Sequence, residues 1–411
     1  MDFTIPISSW TTPELAAARE RNLRWARRMG LVSSDEAERR YLFSQVADIA
    51  AYSYPDAEGE DLDLAFDVNG WFFLFDDQFD VPRGQWPQAA TVCEELIDLL
   101  HRPPGTPPPV SSPLADAFAD VWQRMAHGMS RRWQERTAHH WMEYLAANLT
   151  EAVDRRAGMV PDSEEWMRLR RKVIGVRPSI DVCERVGHFE VPAPLVYSTA
   201  MESAREIVTD VIILINEVYS LENDEARDAP NLVRCLMHEQ GRTRPEAIDE
   251  LRKRADAQIE RLAYVRRQIT PLGQRLGLPH PAQEAADRYI HAISAYMRGI
   301  YDWHRLAGRY TAQVAQLASP RHDGLPQRRE PRHQRRPTST RPTISRGSGS
   351  VGVGAAVGGR VVPVRGGVDG DEAAVGSGGG RAGAGPPAGH RGRLWRHGGG
   401  VHPGPVAGRH D

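Results

Sequence analysis

Apolar residues recur at helical spacing through the first 320 residues of the chain. The spacing is clear in segments such as PELAAARERNLRWARRMGL, DEAERRYLFSQVADIAAYSY and PEAIDELRKRADAQIERLAYVRRQI, where apolar side chains return every three or four positions. Capping residues mark helix starts at Ser34 with Asp35, and at Ser163 with two glutamates after it. Strand-like alternation is scarce, and the proline-rich stretch 102–113 separates helices. The pattern predicts one all-α domain over residues 1–320 with a large apolar core.

Residues 321–411 have a different composition. This tail holds 23 of the 37 glycines, and its 15 arginines against 6 acidic residues give it a charge of +9, which leaves −11 on the rest. Few large apolar side chains are present to offset the entropy of ordering, so we expect the tail to be disordered. It is either a natural extension or the product of a shifted reading frame. Apart from Trp395, its arginines have no interleaved aromatic residues, which disfavours a nucleic-acid partner.

Three further features restrict the setting in which the protein works. No run of about 18 apolar residues predicts a membrane span, and the N-terminus, MDFTIPISSW, lacks the basic and apolar regions of a secretory signal. The three cysteines, Cys93, Cys183 and Cys235, are odd in number and widely spaced. They favour neither a disulfide framework nor a zinc site, and we expect a cytoplasmic protein.

Two polar clusters interrupt apolar helices, and the first is WFFLFDDQFD at 71–80. Asp76 and Asp80 are four residues apart and therefore share a helix face, with Asp77 beside them. Two carboxylates next to an aromatic run repel each other and lose hydration, and a hard dication bridging them would relieve both effects. The alternative is a helix end that simply emerges into water.

The second cluster is VIILINEVYSLENDEARDAPNLV, which starts at Val211. Asn216, Ser220 and Asp224 follow each other at intervals of four residues and lie on one helical stripe. An amide, a hydroxyl and a carboxylate oxygen together suit Mg²⁺. The alternative is an exposed polar stripe, although the apolar run before it favours a helix deep in a bundle.

The two clusters are complementary, because each supplies only part of a metal shell. Facing helices of a bundle commonly build one site between them. We therefore expect a metal-lined polar mouth above an apolar cavity. That shape suits a substrate with an anionic head and a hydrocarbon tail.

The sequence resembles the bacterial class I terpene cyclases, most closely the pentalenene synthase branch of the sesquiterpene cyclases. The resemblance covers residues 3–318 and rests on FFLFDDQFD and NEVYSLEND, together with RRKVIGVRP at 170–178, RVGHFEVP at 185–192 and YDWHRLAGRY at 301–310. It implies the class I terpenoid synthase fold, an α-helical bundle around a deep apolar pocket. It also implies Mg²⁺-dependent ionisation of an isoprenoid diphosphate followed by cyclisation, with three Mg²⁺ ions expected.

The resemblance assigns roles to individual residues. The metal ligands it implies are Asp76, Asp80, Asn216, Ser220 and Asp224, and the diphosphate contacts are Arg170, Arg227, Arg309 and Tyr310. Arg171 is the alternative to Arg170. The family usually has aspartate after the asparagine and glutamate as the last ligand, whereas this chain has Glu217 and Asp224. Because Asp224 is one methylene shorter, Glu225 is a possible substitute, although it points about 100° away on a helix.

Aromatic faces can stabilise a carbocation through their quadrupoles. Phe72 and Phe73 lie about one turn before Asp76, so at least one should face the cavity, and Trp303 is the third candidate. For each of them the alternative is ordinary core packing. His304, next to Trp303, is a weaker candidate for a base than the bound diphosphate itself.

The expected function is therefore a sesquiterpene cyclase acting on farnesyl diphosphate as a monomer or homodimer. A diterpene cyclase using geranylgeranyl diphosphate stays open, because cavity depth cannot be read from sequence. A non-catalytic isoprenoid-binding protein is the other alternative, since Asp224 departs from the family pattern. Chain-elongating prenyltransferases carry a second aspartate-rich motif, which this chain lacks.

Overall fold

The computed structural model describes residues 2–79 and 86–308, and the side chains of residues 77–79 and 86–89 are not among those described. Four predictions lie outside this part of the chain: Asp80, Arg309, Tyr310 and the tail. The described residues belong to one compact unit, Met1–Gln334. A second unit, Arg335–Asp411, falls wholly outside them.

Between residues 2 and 308, the described part of the chain is all-α, with helices and no strand. This confirms the predicted fold class. The helices are α1 Leu15–Arg28, α2 Asp35–Ser44, α3 Ile49–Ser53, α4 Gly59–Phe79, α5 Trp86–Leu100, α6 Pro113–Ala126, α7 Arg131–Ala157, α8 Ser163–Val173, α9 Val176–Val186, α10 Ala193–Val196, α11 Thr199–Ala226, α12 Leu232–Gln240, α13 Arg244–Arg275 and α14 His280–Leu306.

Helix α11 is the central element of the bundle. It packs along α13 and α14 and also contacts α8, α9 and α12. Its run Val211–Ile215 is buried on every face, as expected for a helix that is apolar all round. No helix in the described ranges is long and apolar enough to cross a membrane.

Helix α4 carries the aspartate-rich motif into the same core. It packs against α1, α3, α6 and α9, and Trp71, Phe72 and Phe75 are buried. Asn69 and Gly70 lie inside this helix rather than in a turn. Because aromatic packing surrounds the helix, its C-terminal end with Asp76 is held firmly against its neighbours.

The apolar residues of segment 35–54 have helical spacing, and the structure divides this segment into two helices, α2 and α3. Helix α2 ends at Ser44, and Gln45 takes the left-handed conformation with φ of 52°. The break turns the Gln45 carbonyl oxygen towards Trp303, whose Nε1 donates to it at 2.7 Å. This tertiary hydrogen bond gives a physical reason for the break that local periodicity does not contain.

The predicted cap is confirmed at α2, whereas at α8 the cap lies one residue earlier than predicted. The Ser34 side chain accepts from the backbone N–H of Ala37 and caps α2, as predicted. At α8 the cap is Asp162, which forms a capping box with Glu165, so that Ser163 is the first helical residue. The carboxylate of Asp162 competes successfully for the cap position because it also faces the positive end of the helix dipole.

Candidate active site

The predicted stripe on α11 is present in the structure. Ser220 Oγ donates to Asp224 Oδ2 at 2.6 Å, so these two oxygens share one helix face. Glu225 instead pairs with Arg244 on α13, at 3.3 Å. The geometry therefore places Asp224, rather than Glu225, beside the other residues of the stripe.

Arg170 on α8 reaches the start of the same stripe. Its guanidinium donates to Asn216 Oδ1 at 2.7 Å and to Glu217 Oε1 at 2.8 Å. Burial alone would lower the pKa of Arg170, but the carboxylates of Glu217, Glu151 and Asp224 outweigh it and raise the pKa. The group is therefore a permanent cation at the site. The side chain of Arg171 is 45% exposed and pairs with Asp210, which precedes the stripe on α11, so Arg171 is not at the stripe.

Glu217 ties the stripe to two other helices. It is buried and accepts from Trp166 Nε1 at 2.9 Å and from the backbone N–H of Leu232 at 2.6 Å, besides Arg170. Burial raises the pKa of Glu217, and Arg170 and Trp166 offset part of that rise. In the sequence, Glu217 stands out only as a departure from the family pattern. Its position in a long, mostly apolar segment was the feature that could have indicated a buried and paired Glu217.

Asp76 on α4 is half-buried and accepts a hydrogen bond from the Tyr144 hydroxyl at 2.6 Å. Burial raises the pKa of Tyr144, and the negative charge of Asp76 raises it further. The phenol therefore stays protonated and acts as a donor. Sequence reasoning missed Tyr144, because the apolar periodicity of α7 shows only that this position is buried. The side chain of Asp77 is not among those described.

Aromatic rings line α4 on two sides. Phe72 stacks on Trp141 with ring centroids 4.5 Å apart and meets Tyr144 edge-on at 5.0 Å. Phe73 faces the other way and lies 5.5 Å from Trp303 on α14. Trp303 itself is almost wholly buried. The predicted pocket aromatics thus occupy two groups, Phe72 with α7 and Phe73 with α14.

His304 connects the aromatic groups to the polar stripe. Its Nδ1 lies 2.7 Å from the Ile300 carbonyl oxygen and must donate, so Nε2 is left to accept from Asn216 Nδ2 at 3.2 Å. This contact orients the Asn216 amide with its oxygen towards Arg170. The contacts Phe73–Trp303 and His304–Asn216 therefore place both the α4 motif and the α11 stripe against neighbouring residues of α14.

The structure gives less information about the other residues predicted to contact the diphosphate. Arg227 follows α11 as its C-terminal cap and is exposed, which places it beyond Asp224 at the rim of the stripe. Arg309 and Tyr310 lie outside the described residues.

The donor set on α11 fits a hard cation. Asn216, Ser220 and Asp224 offer oxygen only, and oxygen is the ligand that Mg²⁺ prefers. Ser220 directs its proton to Asp224, and its oxygen accepts a long hydrogen bond of 3.5 Å from Asn231 Nδ2, which leaves one lone pair to coordinate. In the part of the chain with described side chains, no three His, Cys, Asp or Glu residues form a group suited to a metal. The stripe includes an amide and a hydroxyl, which are not among those four residue types.

Comparison with known proteins points to the same chemistry. The family profile described as "Terpene synthase family 2, C-terminal metal binding" matches residues 67–261. R-linalool synthase of Streptomyces clavuligerus is 44% identical over 313 residues, which cover 76% of this chain and 94% of that protein. Pentalenene synthase of Streptomyces exfoliatus is 38% identical over 323 residues, or 77% of this chain and 95% of the relative. A (−)-β-caryophyllene synthase of Saccharothrix espanaensis, described as (2E,6E)-farnesyl diphosphate cyclizing, is 34% identical over 77% of this chain and 90% of its own length.

The fold matches solved structures as well. The crystal structure of linalool/nerolidol synthase from Streptomyces clavuligerus in complex with 2-fluorogeranyl diphosphate superimposes with a TM-score of 0.68 at 42% identity. The match covers 74% of this chain and 99% of that one. Because nearly full-length relatives align with the helical region at well above 30% identity, the chain belongs to the bacterial class I terpene synthases and is a lyase of that class.

Proposed function

We propose that the protein is a sesquiterpene cyclase that ionises farnesyl diphosphate with the help of three Mg²⁺ ions. The observation that carries the proposal is the junction at His304, where a polar face with Arg170 and Asn216 adjoins the aromatic pair Phe73 and Trp303. A polar face of this kind suits a diphosphate. An adjoining aromatic wall suits an isoprenoid chain that becomes cationic.

The polar residues have distinct roles in this proposal. Asp76, Asp80, Asn216, Ser220 and Asp224 hold the metal, and Mg²⁺ when bound acts as a Lewis acid that neutralises charge on the departing diphosphate. Arg170 is already a partly buried cation, and it binds diphosphate oxygens through its planar fork of N–H donors. For that it must exchange its Asn216 contact for the substrate, which also releases Asn216 Oδ1 to coordinate.

Three further residues complete the proposed diphosphate site. Arg227, Arg309 and Tyr310 bind the diphosphate when the mouth closes over the substrate. Closure excludes water, so the carbocation is not quenched prematurely.

The aromatic residues stabilise the cation without reacting with it. Phe73 packs against Trp303, which meets His304 edge to face, while Phe72 is stacked on Trp141. A ring face attracts a nearby cation by about 0.5–2 kcal/mol. Phe73 is only partly buried, and we therefore assign it the direct contact with the hydrocarbon chain and Phe72 a supporting position.

Geranyl diphosphate is the second candidate substrate. R-linalool synthase shares 44% of its sequence with this chain, and the related crystal structure contains a geranyl diphosphate analogue. The caryophyllene synthase, described as (2E,6E)-farnesyl diphosphate cyclizing, supports farnesyl diphosphate as the substrate of this protein instead. The deciding experiment offers purified protein and Mg²⁺ the geranyl, farnesyl and geranylgeranyl diphosphates separately, with pyrophosphate release and mass-spectrometric product identification as readouts.

We expect the highest kcat/KM with farnesyl diphosphate, and a cyclic hydrocarbon or alcohol as the product. Preference for geranyl or geranylgeranyl diphosphate would replace the substrate assignment and keep the class. If none of the three substrates released pyrophosphate, the enzymatic proposal would be wrong and a binding protein would be favoured.

The choice of Asp224 as ligand has its own test on adjacent residues. Asp224→Ala removes the only negative charge of the stripe, so the Mg²⁺ concentration for half-maximal rate should rise about tenfold or more, with partial rescue at high Mg²⁺. Glu225→Ala is the matched control. It should change the Mg²⁺ concentration for half-maximal rate little, because Glu225 pairs with Arg244. The reverse order of effects would show that the ligand is Glu225.

A further inference from the structure

Asn231 lies between the polar stripe and the start of α12, and it is fully buried. Its two side-chain atoms have different partners. Oδ1 accepts from the backbone N–H of Val233 at 2.9 Å and so caps α12. Nδ2 donates to the carbonyl oxygen of Glu217 and to Asp224 Oδ2, both at 2.9 Å, and has a longer contact of 3.5 Å with Ser220 Oγ. One face of this amide is therefore structural, and the other faces a proposed metal ligand.

The hydrogen bonds to Asp224 are concentrated on one of its two oxygens. Ser220 Oγ and Asn231 Nδ2 both donate to Oδ2. Both donors are neutral, so they fix the carboxylate without neutralising its charge. A carboxylate held in this way keeps its second oxygen, Oδ1, for a cation. Hydrogen bonds of this kind orient metal ligands before the metal arrives.

We infer that Asn231 is a positioning residue for Asp224: its amide N–H selects the carboxylate orientation that binds Mg²⁺. The inference rests on the proposed function, in which Asp224 is a metal ligand. It also explains how the short aspartate side chain serves at this position. Asp224 has fewer rotamers than glutamate, and Asn231 together with Ser220 selects one of them.

The competing explanation is that Asn231 only caps α12. The start of α12 is already anchored, because Glu217 accepts from the backbone N–H of Leu232. The cap and the donor function can therefore be separated by substitution. Asn231→Ser keeps an oxygen for the Val233 N–H but loses the amide donor, since serine is a good cap with a shorter reach.

The experiment compares three full-length proteins: wild type, Asn231→Ser and Ser112→Ala. Ser112 is the cap of α6, where its Oγ accepts from the Ala115 N–H, so the control loses a cap away from the stripe. The melting temperature without metal reports folding. The rise in melting temperature on adding Mg²⁺ with inorganic pyrophosphate reports binding. The Mg²⁺ concentration for half-maximal pyrophosphate release is the third readout.

We expect Asn231→Ser to melt within a few degrees of wild type without metal, to lose most of the rise with Mg²⁺ and pyrophosphate, and to need about tenfold more Mg²⁺. Ser112→Ala should melt lower but keep the full rise. A normal Mg²⁺ requirement in Asn231→Ser would overturn the inference and leave Asn231 as a cap.

Two further outcomes are informative. If Asn231→Ser does not fold, Asn231→Thr keeps the same cap and is measured instead, and failure of both to fold would show that the residue is structural. If wild type gains nothing from Mg²⁺ and pyrophosphate, the proposed metal site itself is wrong. That result differs from an equal response of the wild type and Asn231→Ser, which would overturn only the positioning role of Asn231.

Discussion

At the scale of single residues, the site is organised by hydrogen bonds to groups that carry charge. Arg170 is held by Asn216 and Glu217, Asp76 by Tyr144, and Asp224 by Ser220. Each of these contacts restrains a side chain that, in the proposed function, meets the substrate or a cation. Preorganisation of this kind lowers the cost of ordering on binding.

The Tyr144 hydroxyl provides a clean test of this organisation. Tyr144→Phe keeps the ring contacts with Phe72 and Phe75 but removes the donor to Asp76. We expect a Mg²⁺ requirement raised by about tenfold and nearly unchanged stability, measured by pyrophosphate release against Mg²⁺ and by thermal melting.

The matched control is Tyr54→Phe, which removes the hydroxyl of another fully buried tyrosine that donates to the Ser179 carbonyl oxygen. It should leave the Mg²⁺ requirement as in wild type. Equal shifts in both variants would mean that Tyr144 acts through general packing rather than through Asp76.

At the scale of helices, the break between α8 and α9 brings the backbone at Gly175 close to Phe72 of α4. Gly175 forms the break with φ of +71°, and a Cβ there would lie 3.2 Å from Phe72 Cε1. The turn after the helix that carries Arg170 therefore packs directly against Phe72, to which the proposed function gives a supporting position. A left-handed residue other than glycine costs roughly 1–2 kcal/mol.

Gly175→Ala should therefore reduce the free energy of unfolding by more than that conformational cost, because Phe72 must also move. Gly158→Ala is the control, since Gly158 has a similar φ of +69° and a Cβ added there would meet nothing within 4 Å. We expect both variants to lose stability in chemical denaturation, with an altered product mixture only for Gly175→Ala. Identical product mixtures would show that Phe72 does not shape the pocket.

A second helix-scale feature is the carboxyl of Asp67, which joins α4 to α1 and α6. Its oxygens accept from Asn22 and Arg124, both at 2.9 Å. Burial raises the pKa of Asp67 to about 7, although Arg124 and Asn22 oppose the rise. Because the folded-state pKa is above the ordinary 3.8, the folded protein binds this proton more tightly than the unfolded chain.

The stabilising contribution of that proton is complete below about pH 4 and is lost as the pH rises through about 7. Asp67→Asn cannot titrate, so its free energy of unfolding should improve relative to wild type from pH 4 to pH 8. Urea denaturation across this range measures the difference between the two proteins. Parallel profiles would contradict the raised pKa.

At the scale of the whole molecule, three quarters of the chain accounts for nearly the full length of its relatives. The 313 residues shared with R-linalool synthase cover 94% of that protein. Residues 321–411 are rich in glycine, arginine and proline and poor in large apolar residues. We therefore expect the helical region to suffice for folding and catalysis.

Truncation after residue 320 tests this directly. The truncated protein should match the full chain in melting temperature and in kcat/KM for its best substrate, because the removed sequence lacks core-forming residues. The untruncated protein, prepared in parallel, is the reference. A drop of several degrees or a large loss of turnover would assign the tail a structural role.

Much of this architecture is determined locally by the sequence. Helical periodicity predicts the all-α fold, and the four-residue spacing of Asn216, Ser220 and Asp224 predicts their shared face. The apolar run before them predicts a buried α11. These properties follow from backbone geometry and from the burial of apolar surface, which neighbouring residues alone can signal.

Tertiary structure decided which side chains meet across the helices. The break at Gln45, the donor from Tyr144 to Asp76 and the contact of Asn231 with Asp224 each join residues whose local patterns carry no sign of the partner. Hydrogen-bond geometry depends on the relative placement of helices to within a few tenths of an ångström. That placement is set by packing of the entire core, so only the folded chain reveals how the site is held.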